Sequence, residues 1–169
     1  MILLRHTRPA VAEGVCYGAS DLRCADDYAD AFAAVAATLP PFDRVVSSPL
    51  QRCRRLAADL ARLREAPLSV DERLREMAFG RWERRRWDEV PRAELDAWAA
   101  DFHGARPHGG ESVADLAARV TPALEAVRGA DGVTLVVAHL GVIRAALAAA
   151  GRTDAWEARL GFGAWLVLD

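Results

Sequence analysis

VTLVVA, residues 133–138, is the stretch from which the fold can be read. It is apolar or β-branched throughout, without polar alternation, as expected of a strand covered on both faces. Such a strand belongs at the centre of a parallel sheet. Shorter runs of the same kind lie at Ile2–Leu4, Arg44–Ser47, Leu68–Val70 and Ala164–Leu168. Helical patterns fill the spaces between them. An Ala-rich stretch from Asp26 to Leu39 stops at Pro40-Pro41. Ser48 is placed as the N-cap and Pro49 as the first residue of a second helix, which would bury Leu50, Cys53, Leu56, Ala57, Leu60 and Leu63. From Glu111 onward Val113, Leu116, Val120, Leu124 and Val127 recur at helical spacing, with a kink predicted at Pro122. A further helix is predicted after Gly141. Strands alternating with such helices predict an α/β three-layer sandwich, a mostly parallel central sheet with helices on both faces.

A chain of 169 residues suits one domain spanning 1–169. Within it, residues 79–110, rich in Trp, Arg and Glu, read as an insertion over the sheet edge that covers the site. The composition, 52% hydrophobic and 27% charged, excludes the signature of disorder. A net charge of −2 argues against a general nucleic-acid or anionic-membrane binder. All 22 basic residues are arginines, so only arginine placement is informative. Cys16, Cys24 and Cys53 lack metal-type spacing, and nothing resembles a signal peptide or a membrane span. A reduced, cytoplasmic protein is expected. Cys53 sits among arginines that could lower a thiol pKa, but its neighbours lack the phosphate-cradling loop of a cysteine phosphatase. His103 and His108 lie in DFHGARPHGGES without a ligand pattern that would complete a metal site, and no Walker loop is present.

In open parallel sheets, ligands sit beyond the carboxyl ends of the strands. Arg5 and His6 stand where the first strand ends, His139 follows VTLVVA, and Arg52 in SSPLQR opens the helix after the second strand. Four groups able to carry positive charge can thus meet at one edge of the sheet. Arginine forks and helix-start N–H groups there would suit a small dianion.

The motifs LLRHTRP, SSPLQR, LREMAFGRWE, GGES and AHLGVIR, in this order, resemble the histidine phosphatase superfamily, which also holds the cofactor-dependent phosphoglycerate mutases. CYGASDL, the threonine after the first histidine, and the short length are most similar to its alpha-ribazole phosphatases of cobalamin biosynthesis. The resemblance implies a metal- and cofactor-independent phosphomonoesterase acting through a phosphohistidine. His6 would be the nucleophile, Arg5, Arg52 and His139 would hold the phosphoryl oxygens, and Glu76 would be the proton donor, with Glu83 the next candidate. It further implies substrate contacts from Thr7, Cys16, Tyr17, Gly18 and Leu140. Glu111 and Ser112 could contact substrate or simply start the next helix. Thr7 replaces the glycine of the commonest family form, and Leu140 stands where a small residue is common, which would narrow the pocket. The implied partner is a small-molecule phosphate ester, not nucleic acid or membrane, and the chain would be a monomer or homodimer. The alternatives are a broad-specificity sugar-phosphate phosphatase, a mutase, or a non-catalytic phosphate-binding module.

Overall fold

The computed structural model describes residues 1–168. Strands β1 (Ile2–Arg5), β2 (Arg44–Ser47), β3 (Leu68–Val70), β4 (Thr134–Ala138) and β5 (Trp165–Val167) form one sheet in the order β3-β2-β4-β1-β5. The β3/β2, β2/β4 and β4/β1 pairs are parallel, and β5 runs antiparallel to β1. Every residue of β4 is buried, as its unbroken apolar sequence requires. The edge strand β3 is exposed throughout and only three residues long, which limits the unpaired backbone it offers to other chains.

Strand periodicity sorts the core into two layers. Ile2, Leu4, Val45, Leu135 and Val137 pack with Tyr28 and Val35 of α1 (Tyr28–Thr38) and with Cys53, Leu56, Ala57 and Leu60 of α2 (Gln51–Arg64). Leu3, Val136 and Ala138 pack with Val113, Leu116, Val120 and Leu124 of α4 (Val113–Arg128) and with Val142, Ile143 and Leu147 of α5 (Leu140–Ala149). Each fully buried aliphatic side chain of this kind contributes about 1.5–3 kcal/mol. The remaining helix, α3 (Arg92–Ala100), lies in the Trp-rich stretch. There Trp82, Cys16 and Val90 form a separate small core with Phe79, Trp87, Leu95 and Trp98 packed on it.

Two local expectations are corrected. Helix α2 begins at Gln51 with Leu50 as its N-cap, not at Ser48-Pro49. The Ser48 hydroxyl bonds the His139 ring at 2.7 Å and also accepts from Leu50 N at 3.4 Å, in a turn just ahead of the helix. Leu63 was expected on the buried face but is 54% exposed in the last turn of α2. Pro122 lies inside α4, as its place in the repeat implies, and the helix continues to Arg128.

The strand order places the site. The chain leaves β1, builds β2 and β3 to one side, then returns to lay β4 between β1 and β2. Parallel register pairs Arg5 with Ala138, so the residues that follow, His6 and His139, leave the sheet side by side. This reversal of strand order opens a crevice at the carboxyl edge.

Candidate active site

His6 is 2% exposed and anchored by its backbone N–H to the Ala138 carbonyl at 3.0 Å. Its ring Nδ1 lies 2.7 Å from the Thr7 carbonyl oxygen. A carbonyl only accepts, so Nδ1 carries the proton and Nε2 keeps its lone pair. The Arg52 Nε–H donates to that Nε2 at 3.3 Å, which agrees with the same tautomer. Burial, then the Arg52 charge, and more weakly Arg5, hold the His6 pKa well below its ordinary 6.5. The ring is therefore a neutral base at neutral pH. The two arginines also repel an imidazolium here, but burial is the larger cause.

His139 is fully buried, 5.1 Å from His6 between ring centroids at 62°. Burial, His6 and Arg52 push its pKa down in the same way. Besides Ser48, the Cys53 sulfur lies 3.4 Å from its Nε2. Burial raises the Cys53 pKa, so no thiolate forms there and the arginine-activated cysteine is not supported.

Arg52 has 0% exposure. Its Nη1 donates to the Ser20 carbonyl and its Nη2 to the Gly18 carbonyl, both at 2.7 Å. It makes no ion pair with a carboxylate among the described residues, and the Tyr17 ring lies 5.3 Å from its guanidinium. Arg5 donates from Nη1 to the Leu160 carbonyl at 2.6 Å and stacks over Phe162 at 4.0 Å. Its Nε is buried without a partner. Buried guanidinium groups without counter-charge favour an incoming anion.

Glu76 faces these cations. Its carboxylate accepts from Met77 N at 2.9 Å and from Gly141 N, in the first turn of α5, at 3.0 Å. A Cβ at Gly141 would stand 2.2 Å from Glu76 Oε1, so only glycine admits the carboxylate there. Arg119 secures the segment from outside. It donates to the Arg73, Arg75 and Glu76 carbonyls and pairs with Glu111 at 2.6 Å, while Glu111 also accepts from Ala78 N at 3.0 Å.

Arg5, His6 and Glu76 open onto a cavity of about 340 Å³, together with Tyr17, Gly18, Leu140, Gly141 and Arg144. The rest of its wall is apolar and largely aromatic: Val15, Met77, Phe79, Trp87, Trp98, Phe102, Val113, Leu116 and Trp156. Arg52, on the Nε2 side of His6, and His139, beside its ring, adjoin this cavity without being part of its wall. A groove of about 420 Å³ beside β3 is larger, but it carries no histidine or carboxylate among its walls.

Of the weaker sequence candidates, Tyr17, Gly18 and Leu140 line the cavity. Thr7 does not: its side chain is buried elsewhere and only its carbonyl serves, by holding His6. Cys16 points into the Trp82 cluster, where burial and Glu83 push its pKa up to about 12. Ser112 caps α4 by accepting from Asp115 N at 3.0 Å, and Glu111 is engaged with Arg119. Glu83 accepts from Ala19 N and Phe79 N and binds the Ser20 hydroxyl, which engages its carboxylate just outside the cavity wall. Sequence reasoning missed Ser48, Phe162, Gly141 and Arg144. Ser48 lay inside the quoted motif SSPLQR and Gly141 and Arg144 inside AHLGVIR, whereas Phe162 lay in none. The aromatic lining was visible solely as the tryptophan content of residues 79–110.

Comparison with known proteins agrees with this geometry. Residues 1–163 match the Histidine phosphatase superfamily (branch 1). An adenosylcobalamin/alpha-ribazole phosphatase of Salmonella typhimurium LT2 is 31% identical over 138 residues, covering 76% of this chain and 68% of that one. A glucosyl-3-phosphoglycerate phosphatase of Mycolicibacterium vanbaalenii is 38% identical over 118 residues, covering 62% of this chain and 52% of its own length. Among solved structures, a mycobacterial glucosyl-3-phosphoglycerate phosphatase superposes with a TM-score of 0.80 at 29% identity, covering 98% of this chain and 87% of that one. The alpha-ribazole phosphatase of Shigella flexneri also gives a TM-score of 0.80, at 24% identity and with 98% and 88% coverage, and shares the fold. With the family matched over nearly its whole length, the chain belongs to the histidine phosphatase superfamily, branch 1, and is an enzyme that hydrolyses phosphate esters.

Proposed function

We propose that the enzyme hydrolyses alpha-ribazole 5′-phosphate through a phosphohistidine on His6, without a metal. The observation that carries the mechanism is the coupling of His6 to Arg52: a neutral ring with its Nε2 lone pair held 3.3 Å from a fully buried guanidinium that lacks a carboxylate. In the first step Nε2 attacks phosphorus in line, the P–O ester bond breaks, and Glu76 gives its proton to the departing oxygen. Arg5 and Arg52 stabilise the charge on the nonbridging oxygens, supplying the positive field that a metal gives in other phosphotransferases, and the neutral His139 ring donates a hydrogen bond to the third. In the second step the Glu76 carboxylate takes a proton from water, whose oxygen attacks phosphorus and releases His6. Residues 79–110 act in this reading as the cover of the site within a single domain.

The substrate assignment is supported by the alpha-ribazole phosphatase relative and by the cavity wall, whose aromatic side chains suit a flat base carried on a ribose. A glucosyl-3-phosphoglycerate-type substrate is the second reading, favoured by the mycobacterial relatives.

The mechanism is tested by rapid quench with a radiolabelled ester. Acid-labile, base-stable label should appear on the wild-type chain and be absent from His6→Ala, which should keep its fold and lose turnover. Label persisting in His6→Ala would remove His6 as the nucleophile.

A further inference from the structure

Arg144 has no role in the mechanism above, yet it lines the same cavity as Glu76 and His6. It sits on α5, one turn beyond Gly141. Its Nε donates to the Ala158 carbonyl at 3.0 Å, while Nη1 and Nη2 have no hydrogen-bond partner among the described residues. The group is half-buried, and burial disfavours its charge. Two residues further along the same strap, the Leu160 carbonyl holds Arg5. Ala158 is extended there, with φ −54° and ψ 135°. One short segment therefore fixes two cavity cations, one at the phosphate-facing end and one beside Trp156.

We infer that Arg144 is a specificity-determining residue that donates its two free Nη groups to an oxygen of the leaving group, a hydroxyl or a carboxylate close to the ester carbon. The inference rests on the reading that esters are cleaved with phosphorus at His6. An ester filling the cavity displaces water from this guanidinium. A leaving group without an oxygen acceptor would leave those N–H groups unpaired, whereas one with an acceptor gains charge-assisted hydrogen bonds. Its tether through Nε presets the fork, so little freedom is lost on binding.

The test compares kcat/KM on three esters: n-butyl phosphate, which has no acceptor, glycerol 1-phosphate, which has hydroxyls, and 3-phosphoglycerate, which adds a carboxylate. Arg144→Met should lose about 10- to 100-fold on the acceptor-bearing esters, the worth of a hydrogen bond to a charged group, and under threefold on butyl phosphate. The ester with the greater loss identifies the acceptor. Arg144→Lys, which keeps the charge, should retain part of the preference and serves if the Met variant does not fold. An equal loss on all three esters, or no loss on any, overturns the inference. Wild-type turnover of p-nitrophenyl phosphate separates the two levels: if it is absent, the phosphatase reading fails, and if it is present without discrimination among the esters, only the assignment of Arg144 fails.

Discussion

In one region of the site, the charged side chains are tied to main chain. Arg52 donates to Gly18 and Ser20, Arg5 to Leu160, and Glu76 accepts from Met77 and Gly141. Along the aromatic part of the wall, Phe79, Trp87 and Trp98 meet edge to face, with Phe79–Trp87 centroids 5.6 Å apart at 87° and Phe79–Trp98 centroids 6.1 Å apart at 81°. Backbone tethers fix position to a fraction of an ångström and change with the main chain. Aromatic contacts, each worth about 0.5–1.5 kcal/mol, tolerate exchange of one ring for another. On the proposed mechanism, chemistry common to all phosphate esters falls to Arg5, Arg52 and Glu76, and discrimination among leaving groups to the aromatic wall together with Arg144. The comparison fails if substitutions in the two regions affect substrates alike.

The largest effect is expected from Glu76→Gln. Alkyl phosphates, whose alkoxides need a proton, should lose about 10²–10⁴ in the phosphorylation step. Phenolate release from p-nitrophenyl phosphate in a single-turnover burst should change far less. Equal losses would make Glu76 a holder of structure rather than a proton donor, since Glu83, the next carboxylate, is already engaged with residues 19, 20 and 79. Next comes Arg52→Lys, which keeps the charge but cannot make three bonds in one plane to His6, Gly18 and Ser20. A fall in kcat/KM of about 10²–10³, as for loss of an oxyanion donor, is expected on every ester regardless of leaving group. A change under about threefold would take Arg52 out of the phosphate pocket. The smallest effect belongs to the aromatic wall. Trp87→Ala should lower kcat/KM by about 3- to 10-fold for a ring-bearing ester, through the aromatic contact it loses, and leave glycerol 1-phosphate nearly unchanged. If both esters fell together, that wall would be supporting the catalytic groups.

The same division separates what the sequence showed from what it hid. Strands announced themselves because burial on both faces leaves no room for polar residues, as in VTLVVA, and a parallel register then brings His6 and His139 together. Arg52 was legible because one turn of a helix after a strand has few places to go. The start of α2 was misplaced because Ser48 accepts from Leu50 N in a turn ahead of the helix while also bonding His139, 91 residues away, a contact that no local pattern shows. Cys16 and Tyr17 are neighbours that face opposite ways, one into the Trp82 cluster and one into the cavity, and no local pattern distinguishes them. Trp87, Trp98, Phe102 and Trp156 come from separate segments whose meeting depends on tertiary packing.

The segment Ala158–Leu160 also bears on the order in which the cavity is assembled. Arg5 is held by Leu160, 155 positions later, and β1 gains its antiparallel neighbour only with β5. Closing so long a loop costs about 2 kcal/mol more than closing one of ten residues, and contacts of such separation slow folding. His6 and Arg52, 46 positions apart, can therefore meet while the Arg5 guanidinium is still untethered. That cation takes its place only when the segment leading into β5 docks against β1.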